Sequence, residues 1–253
     1  MTSATTPGST RREPELVGQT VVVIGGSAGI GLETARRSRA EGADIILTGR
    51  NPQRLKQAAQ ELGAQRTAAF DANDAASLKR FLHDLPTPID HVMVTAGGPH
   101  YGPLLEIEPE EARRGLTEHM LLAIHVAQSA SRKVRPGGTL LFMGGTGGRR
   151  PSAVLGIASV VTVAMPALVA TLALALAPIR VNLIAAGFVD TPLSASLLGE
   201  DLDRRRDELR ATLPIRRVVG PGDVAALAVH IMINTALTGA TYDIDGGQQL
   251  VAR

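Results

Sequence analysis

The stretch GGSAGIG, Gly25 to Gly31, is the first in this chain whose residue types and spacing could do chemistry. Glycines let backbone N–H groups close on an anion, and a helix that begins there adds the positive end of its dipole. Ser27 supplies a further hydroxyl donor. This pattern points to a dinucleotide pyrophosphate. A tight strand-to-helix turn is the plainer alternative, but four glycines in seven residues exceed what a turn requires. Further on the chain reads LTGRN, Leu47 to Asn51. A free ribose 2′-hydroxyl is met by a carboxylate there, and a 2′-phosphate by a cation. Gly49 offers no carboxylate, and Arg50 follows with a planar fork of donors. NADP(H) is favoured over NAD(H), against the alternative of a solvated arginine at a strand end.

Both motifs need strands to end where they begin. TVVVIG before the glycines and DIILTG before Arg50 are β-branched, apolar runs. TAAF, HVMVTAGG, TLLFMGG, IRVNLIAAG and TYDI continue the series. Helical patterns alternate with them: Gly29 to Glu41, PQRLKQAAQEL, AASLKRFLHDL, Glu108 to Val134, and PGDVAALAVHIMI. Strands too apolar to face water on either side call for an α/β fold, a parallel sheet with helices on both faces. No repeat or linker divides the chain. One domain over residues 16–253 is expected, with a flexible arm at 1–15 and its least regular part at 191–217.

Of 253 residues, 44% are hydrophobic and 20% charged, with a net charge of +2. These are ordinary values for a globular protein, and they give no reason to expect nucleic acid as a partner. The absence of Cys excludes disulfides and thiolate metal sites, and fits a cytoplasmic location. Six scattered histidines show no metal-ligand spacing, so no metal is expected. The polar N-terminus has no apolar signal core.

GGSAGIG, Asp71 after the third strand, TAGG at the fourth, IRVN at the sixth, AAGFVDTP beyond it and DIDGG near the end resemble, in order, the short-chain dehydrogenase/reductase family. The likeness runs from about Leu16 to the C-terminus. It implies a Rossmann-type, seven-stranded doubly wound sheet, a nicotinamide cofactor and a homodimer or homotetramer. It places Gly25, Ser27, Gly29, Ile30 and Gly31 around the pyrophosphate and Arg50 at the adenosine phosphate. Asp71 and Ala72 fall at the adenine, Ala96 and Gly97 beside the adenosine ribose, and Gly187, Val189 and Thr191 near the nicotinamide carboxamide.

The family's reacting groups do not carry over. Members usually move the substrate proton with a Tyr, aided by a Lys four residues on, a Ser, and an Asn in the preceding long helix. The usual spacing from Asn182, and independently from Gly145 at the Ser position, reaches Ala158 for the Tyr; the Lys position is then Thr162. His119 takes the Asn position. Tyr101 and Tyr242 are the chain's two tyrosines, and Leu105 and Gly246 stand four residues after them.

From Pro151 to Ile179 the chain carries no charged side chain. A run of about 18 apolar residues nominates a membrane span, but this one lies inside a βαβ unit whose strands must be neighbours. The resemblance makes it a helix packed between the sheet and a second subunit, with the other subunit contact near 108–134. Pro166 is expected to kink it or mark a break.

Three functions remain open at this point. The first is an NADP(H)-dependent carbonyl reductase or alcohol dehydrogenase acting on a small molecule, its proton handled by His119, His100, Tyr101, a water or the substrate's own hydroxyl. The second is an inactive NADP(H)-binding subunit, either a sensor or the partner of an active homologue. The third is a non-redox lyase or isomerase. The insertion DLDRRRDELRATLPIRR lies where the family has its substrate lid. Its arginines could meet an acidic substrate or a carrier-protein phosphate, but Asp201–Arg205 and Arg204–Glu208 at i,i+4 favour a solvated helix.

Overall fold

A computed structural model describes residues 13–251; most of the expected N-terminal arm, residues 1–12, lies outside the described residues. The strands are β1 (Thr20–Ile24), β2 (Asp44–Gly49), β3 (Arg66–Ala69), β4 (Ile89–Val94), β5 (Val134–Gly145), β6 (Arg180–Ala186) and β7 (Thr241–Ile244). They form one seven-stranded sheet in the order β3-β2-β1-β4-β5-β6-β7, with every neighbouring pair parallel. The helices are α1 (Gly29–Ala40), α2 (Pro52–Leu62), α3 (Ala75–His83), α4 (Pro109–Ala130), α5 (Ile157–Ala175), α6 (Pro192–Leu198), α7 (Leu202–Thr212) and α8 (Pro221–Ile233).

Alternation along the strands divides the core in two. Val22, Ile24, Val92 and Leu140 face Leu78, Val126, Val161 and Met165 of α3, α4 and α5. Val21, Val23, Met93 and Leu141 face Ala35, Leu55, Val224 and Ile231 of α1, α2 and α8. Burial on both faces is why these strands read as unbroken apolar runs.

Three local expectations are corrected. The helix expected to reach Val134 stops at Ala130, because Val134 opens β5 and pairs with Ile89. A register shift between Ile89 and His91 then absorbs Arg135 to Gly138 before regular pairing resumes at Thr139. Of the kink or break expected at Pro166, the break is absent: α5 runs continuously from Ile157 to Ala175. Only the Thr162 carbonyl loses its usual donor there, and burial of Val161, Met165 and Val169 against the sheet offsets that. The ion pairs of α7 form at i,i+3, as Asp201–Arg204, Asp203–Arg206, Arg205–Glu208 and Asp207–Arg210, rather than i,i+4.

α5 is long and apolar enough to cross a membrane by composition, yet it connects β5 to β6, which pair directly. Its outer residues Val160, Val163 and Leu174 are exposed in the single chain.

The N-terminal edge of the sheet is pinned by buried polar groups. Arg180 donates to the carbonyls of Gly137, Ile231, Met232, Asn234 and Leu237, fastening the end of α8 to β6. On β4, His91 is 1% exposed and its Nε2 lies 2.8 Å from Gln19 Oε1. Burial, reinforced by Arg180 and Arg135 and opposed by Asp90, pushes its pKa from 6.5 to about 3. Neutral in the native protein, His91 takes up a proton when the chain unfolds below pH 6.5. Its contribution is complete above pH 6.5 and declines as pH falls towards 3, by at most about 1.4 kcal/mol per unit. Denaturant titrations at pH 7.5 and 5 should differ by up to about 2 kcal/mol from this group. His91→Gln should remove that part of the slope, and an unchanged slope would refute the assignment.

Candidate active site

Strand order reverses between β1 and β4, and ligands of doubly wound sheets bind at the carboxyl ends of such strands. The glycine loop fills this position. Its Gly25 and Gly26 amides donate to the Thr48 carbonyl at 3.2 and 2.8 Å, turning the chain sharply after β1. A Cβ at position 31 would lie 2.3 Å from the Gly25 carbonyl oxygen, so only glycine fits there. The Thr95 hydroxyl donates to that same oxygen at 3.0 Å and locks the loop to the end of β4. α1 then starts without a side-chain cap and without an acid in its first turn. Its leading amides are available for an anion, as a pyrophosphate requires.

The other expected cofactor positions fall around this cradle. Thr191 lies against Gly29, its Cβ 3.5 Å from where a Cβ of residue 29 would stand. At the end of β2, a Cβ on residue 49 would be 2.7 Å from Ser27 Oγ, so Ser27 crowds the point where a side chain on residue 49 would begin. Arg50 is exposed and makes no ion pair or side-chain hydrogen bond with the described residues. One oxygen of Asp71 accepts from the Asn73 amide at 2.9 Å. Ala72 is buried in the core, which leaves its backbone as the part able to meet a base. The Ala96 amide donates to the Ile24 carbonyl at 3.0 Å. Gly187 packs on Asp245 and Gln248, whose Oε1 takes the Phe188 amide at 2.9 Å, and Val189 is buried in a bridge to Val219. Gly25, Gly29, Gly31, Ala96, Gly97 and Thr191 thus border one cradle, while Arg50, Asp71 and Ala72 lie towards the outer strands. These residues fit a dinucleotide, and a bound nicotinamide would supply or accept a hydride.

At the positions where the family's Ser, Tyr and Lys fall, the chain offers no titratable side chain. A Cβ on Gly145 would be 3.0 Å from Thr162 Cγ2, so these two positions adjoin. The Gly148 backbone presses on the same turn of α5, where its Cβ would lie 2.7 Å from both Ser159 O and Thr162 Oγ1. Ala158 is buried beside them.

The nearby candidates separate by environment. His100 Nε2 lies 3.2 Å from Glu118 Oε2. Missing side-chain volume at Gly115 admits this ring: a Cβ there would be 3.2 Å from His100 Cβ and 3.0 Å from Ile157 Cγ2. His100 and the residue preceding Ala158 therefore both approach α4 at Gly115. His119 faces Gly97, with ring atom Cε1 3.1 Å from the position of a Cβ there. Burial lowers the His119 pKa, nearby His100 lowers it further, and Glu118 opposes both. His119 is thus neutral near pH 7, suited to passing a proton rather than storing one. Tyr101 sits at the rim, 49% exposed. Its partly buried phenol has a raised pKa, the opposite of what proton abstraction by tyrosine needs.

Sequence reasoning missed Glu118, which lies 18 residues from His100 and gives no local signal. It also missed the bidentate Arg206–Asp190 pair, at 2.9 and 2.7 Å, which ties α7 to the residue before Thr191. Thr95 was legible only as part of the TAGG motif, and Gln248, just past DIDGG, was missed. Among the described residues, no three His, Asp or Glu side chains group to hold a metal.

Residues 25–249 match the family model described as enoyl-(acyl carrier protein) reductase. The chain belongs to the short-chain dehydrogenase/reductase family. The chain is 26% identical to the short-chain dehydrogenase/reductase ATR9 of Stachybotrys chlorohalonatus, over 92% of this chain and 98% of that one. It is 29% identical to the cyclic-di-GMP-binding biofilm dispersal mediator protein of Escherichia coli, over 90% and 96%. Among solved structures it resembles the MalC reductase/Diels-Alderase of Malbranchea aurantiaca, with 26% identity, a TM-score of 0.87, and 95% and 100% of the chains covered. BdcA in complex with NADPH aligns at 27% identity and TM-score 0.81, over 92% and 95%.

Proposed function

We propose that this chain is an NADP(H)-dependent oxidoreductase of the carbonyl reductase or alcohol dehydrogenase type, in which an imidazole replaces tyrosine in proton transfer. The observation that carries the reading is Arg50, exposed and without an ion pair or side-chain hydrogen bond among the described residues, directly after Gly49, which offers no carboxylate. NADPH in the solved structures of BdcA and of another small-chain dehydrogenase supports it. In this reading, the open amides of α1 hold the pyrophosphate, Arg50 grips the 2′-phosphate, and Thr191 closes over the nicotinamide end. His119, neutral and facing Gly97, passes a proton between solvent and the cleft. His119→Ala should lower turnover by about 10-fold or more with NADPH affinity intact. Unchanged turnover would retire this role.

The native residues Gly145, Ala158 and Thr162 favour a second reading, an NADP(H)-binding subunit or sensor that does no chemistry. Parallel fluorescence titrations with NADPH and NADH, followed by a carbonyl screen, separate the two. NADPH-selective binding with turnover supports the enzyme, and binding without turnover supports the sensor. Failure to bind either cofactor defeats both.

We also place the protein in the cytoplasm as a homodimer or homotetramer. Apolar Leu121 of α4, with Val160, Val163 and Leu174 of α5, is exposed in the single chain, and a second copy would cover it. A monomeric mass by light scattering would refute this.

A further inference from the structure

The strongest unassigned feature is the carboxylate behind His100. We propose that Glu118 is a positioning residue: it holds His100 at the edge of the emptied Tyr–Lys pocket, so that this imidazole serves the reacting oxygen. The inference rests on the oxidoreductase reading above.

Three observations converge on it. Glu118 Oε2 lies 3.2 Å from His100 Nε2, and both side chains are largely shielded, 30% and 23% exposed. A carboxylate can only accept, so Nε2 carries a proton against Glu118 and Nδ1 is the ring nitrogen left to exchange one with a substrate. Second, the ring packs on α4 where Gly115 leaves room: a Cβ there would lie 3.3 Å from His100 Cγ and 3.0 Å from Cγ2 of Ile157, the residue before Ala158. Third, the neighbouring loop is fixed: the Gly102 amide donates to the Val154 carbonyl at 3.2 Å. Gly156, at φ +50°, abuts the Gly102 carbonyl so closely that a Cβ there would lie 2.1 Å from its oxygen. The segment carrying His100 is thereby bound to the segment leading into α5.

The chemistry balances without a further reagent. In the reducing direction, a bound reduced nicotinamide would supply the hydride that the carbonyl carbon needs, and His100, protonated on both nitrogens, would give the oxygen its proton from Nδ1. The C=O becomes an alcohol, and the neutral imidazole regains its proton from water. Glu118 orients the ring throughout by accepting from Nε2–H.

The test uses the full chain labelled with 15N-histidine, as native protein, Glu118→Ala and Glu118→Gln. In cofactor-free protein, the His100 Nε2–H signal should be protected from exchange in the native and Gln forms and lost in the Ala form. In turnover, Glu118→Ala should lose about 10²-fold in kcat, and Glu118→Gln, which orients without charge, should lose less. NADPH affinity should stay constant across all three, which also certifies folding. Unchanged kcat in Glu118→Ala overturns the dyad alone. An equal fall in kcat and NADPH affinity in both variants overturns it in favour of a structural role. Native protein that binds NADPH yet reduces no carbonyl overturns the oxidoreductase reading, and the dyad with it.

Discussion

The triple variant Gly145→Ser/Ala158→Tyr/Thr162→Lys is expected to reduce carbonyls about 10²- to 10⁴-fold faster than the native chain, the usual worth of a positioned acid. The three changes must be made together. Serine at 145 alone brings a side chain to 3.0 Å from Thr162 Cγ2, and lysine at 162 removes that β-branch. Tyrosine at 158 alone keeps a phenol near its ordinary pKa of about 10, a poor proton shuttle at neutral pH without a cation nearby. Single variants should therefore gain little, and the excess of the triple over their product measures the coupling. Turnover on a panel of aldehydes and ketones, with NADPH binding measured in parallel, gives the result. If the triple variant binds NADPH normally and shows no gain, the cleft does not hold a carbonyl within reach of the hydride. The subunit or sensor reading then stands.

What the sequence disclosed and what it concealed follow from the range of the interactions involved. α2 was legible to the residue because its signals are local: Asn51 caps the Arg54 amide, Pro52 opens the first turn, and Gly63 ends it in the left-handed conformation. The strands were legible because burial on both faces forces apolar runs. The glycine cradle could be read since its chemistry belongs to the backbone of one short segment. By contrast, the end of α4 depended on Val134 finding Ile89 on another strand. Pro166 read as a kink or a break because propensity registers the lost amide but not the packing of α5 against the sheet. The i,i+3 pairing of α7 was decided by rotamers that spacing does not specify. In the site, each histidine was visible, but the meeting of His100 with Glu118 requires α4 and the segment after β4 to be docked. Nor does any local pattern bring Arg206 to Asp190.

Arg50→Glu should weaken NADPH binding by about 10²-fold or more, since a charge-assisted contact is replaced by repulsion of the 2′-phosphate. NADH, which lacks that phosphate, should change little, so selectivity should collapse or invert. Arg50 is free to make this contact: it is exposed and has no partner among the described residues, so no internal ion pair must break first. The same exposure makes the effect sensitive to salt, and the native preference for NADPH should narrow as ionic strength rises. Gly49→Asp should not by itself convert the protein to NADH, because Ser27 Oγ stands 2.7 Å from where the new Cβ must go. Conversion requires Ser27→Gly as well, which opens the space for a carboxylate to reach a ribose hydroxyl. Equal losses for both cofactors in Arg50→Glu would mean that the residue supports the loop rather than the phosphate. The NADP(H) assignment would then lose the observation that carries it.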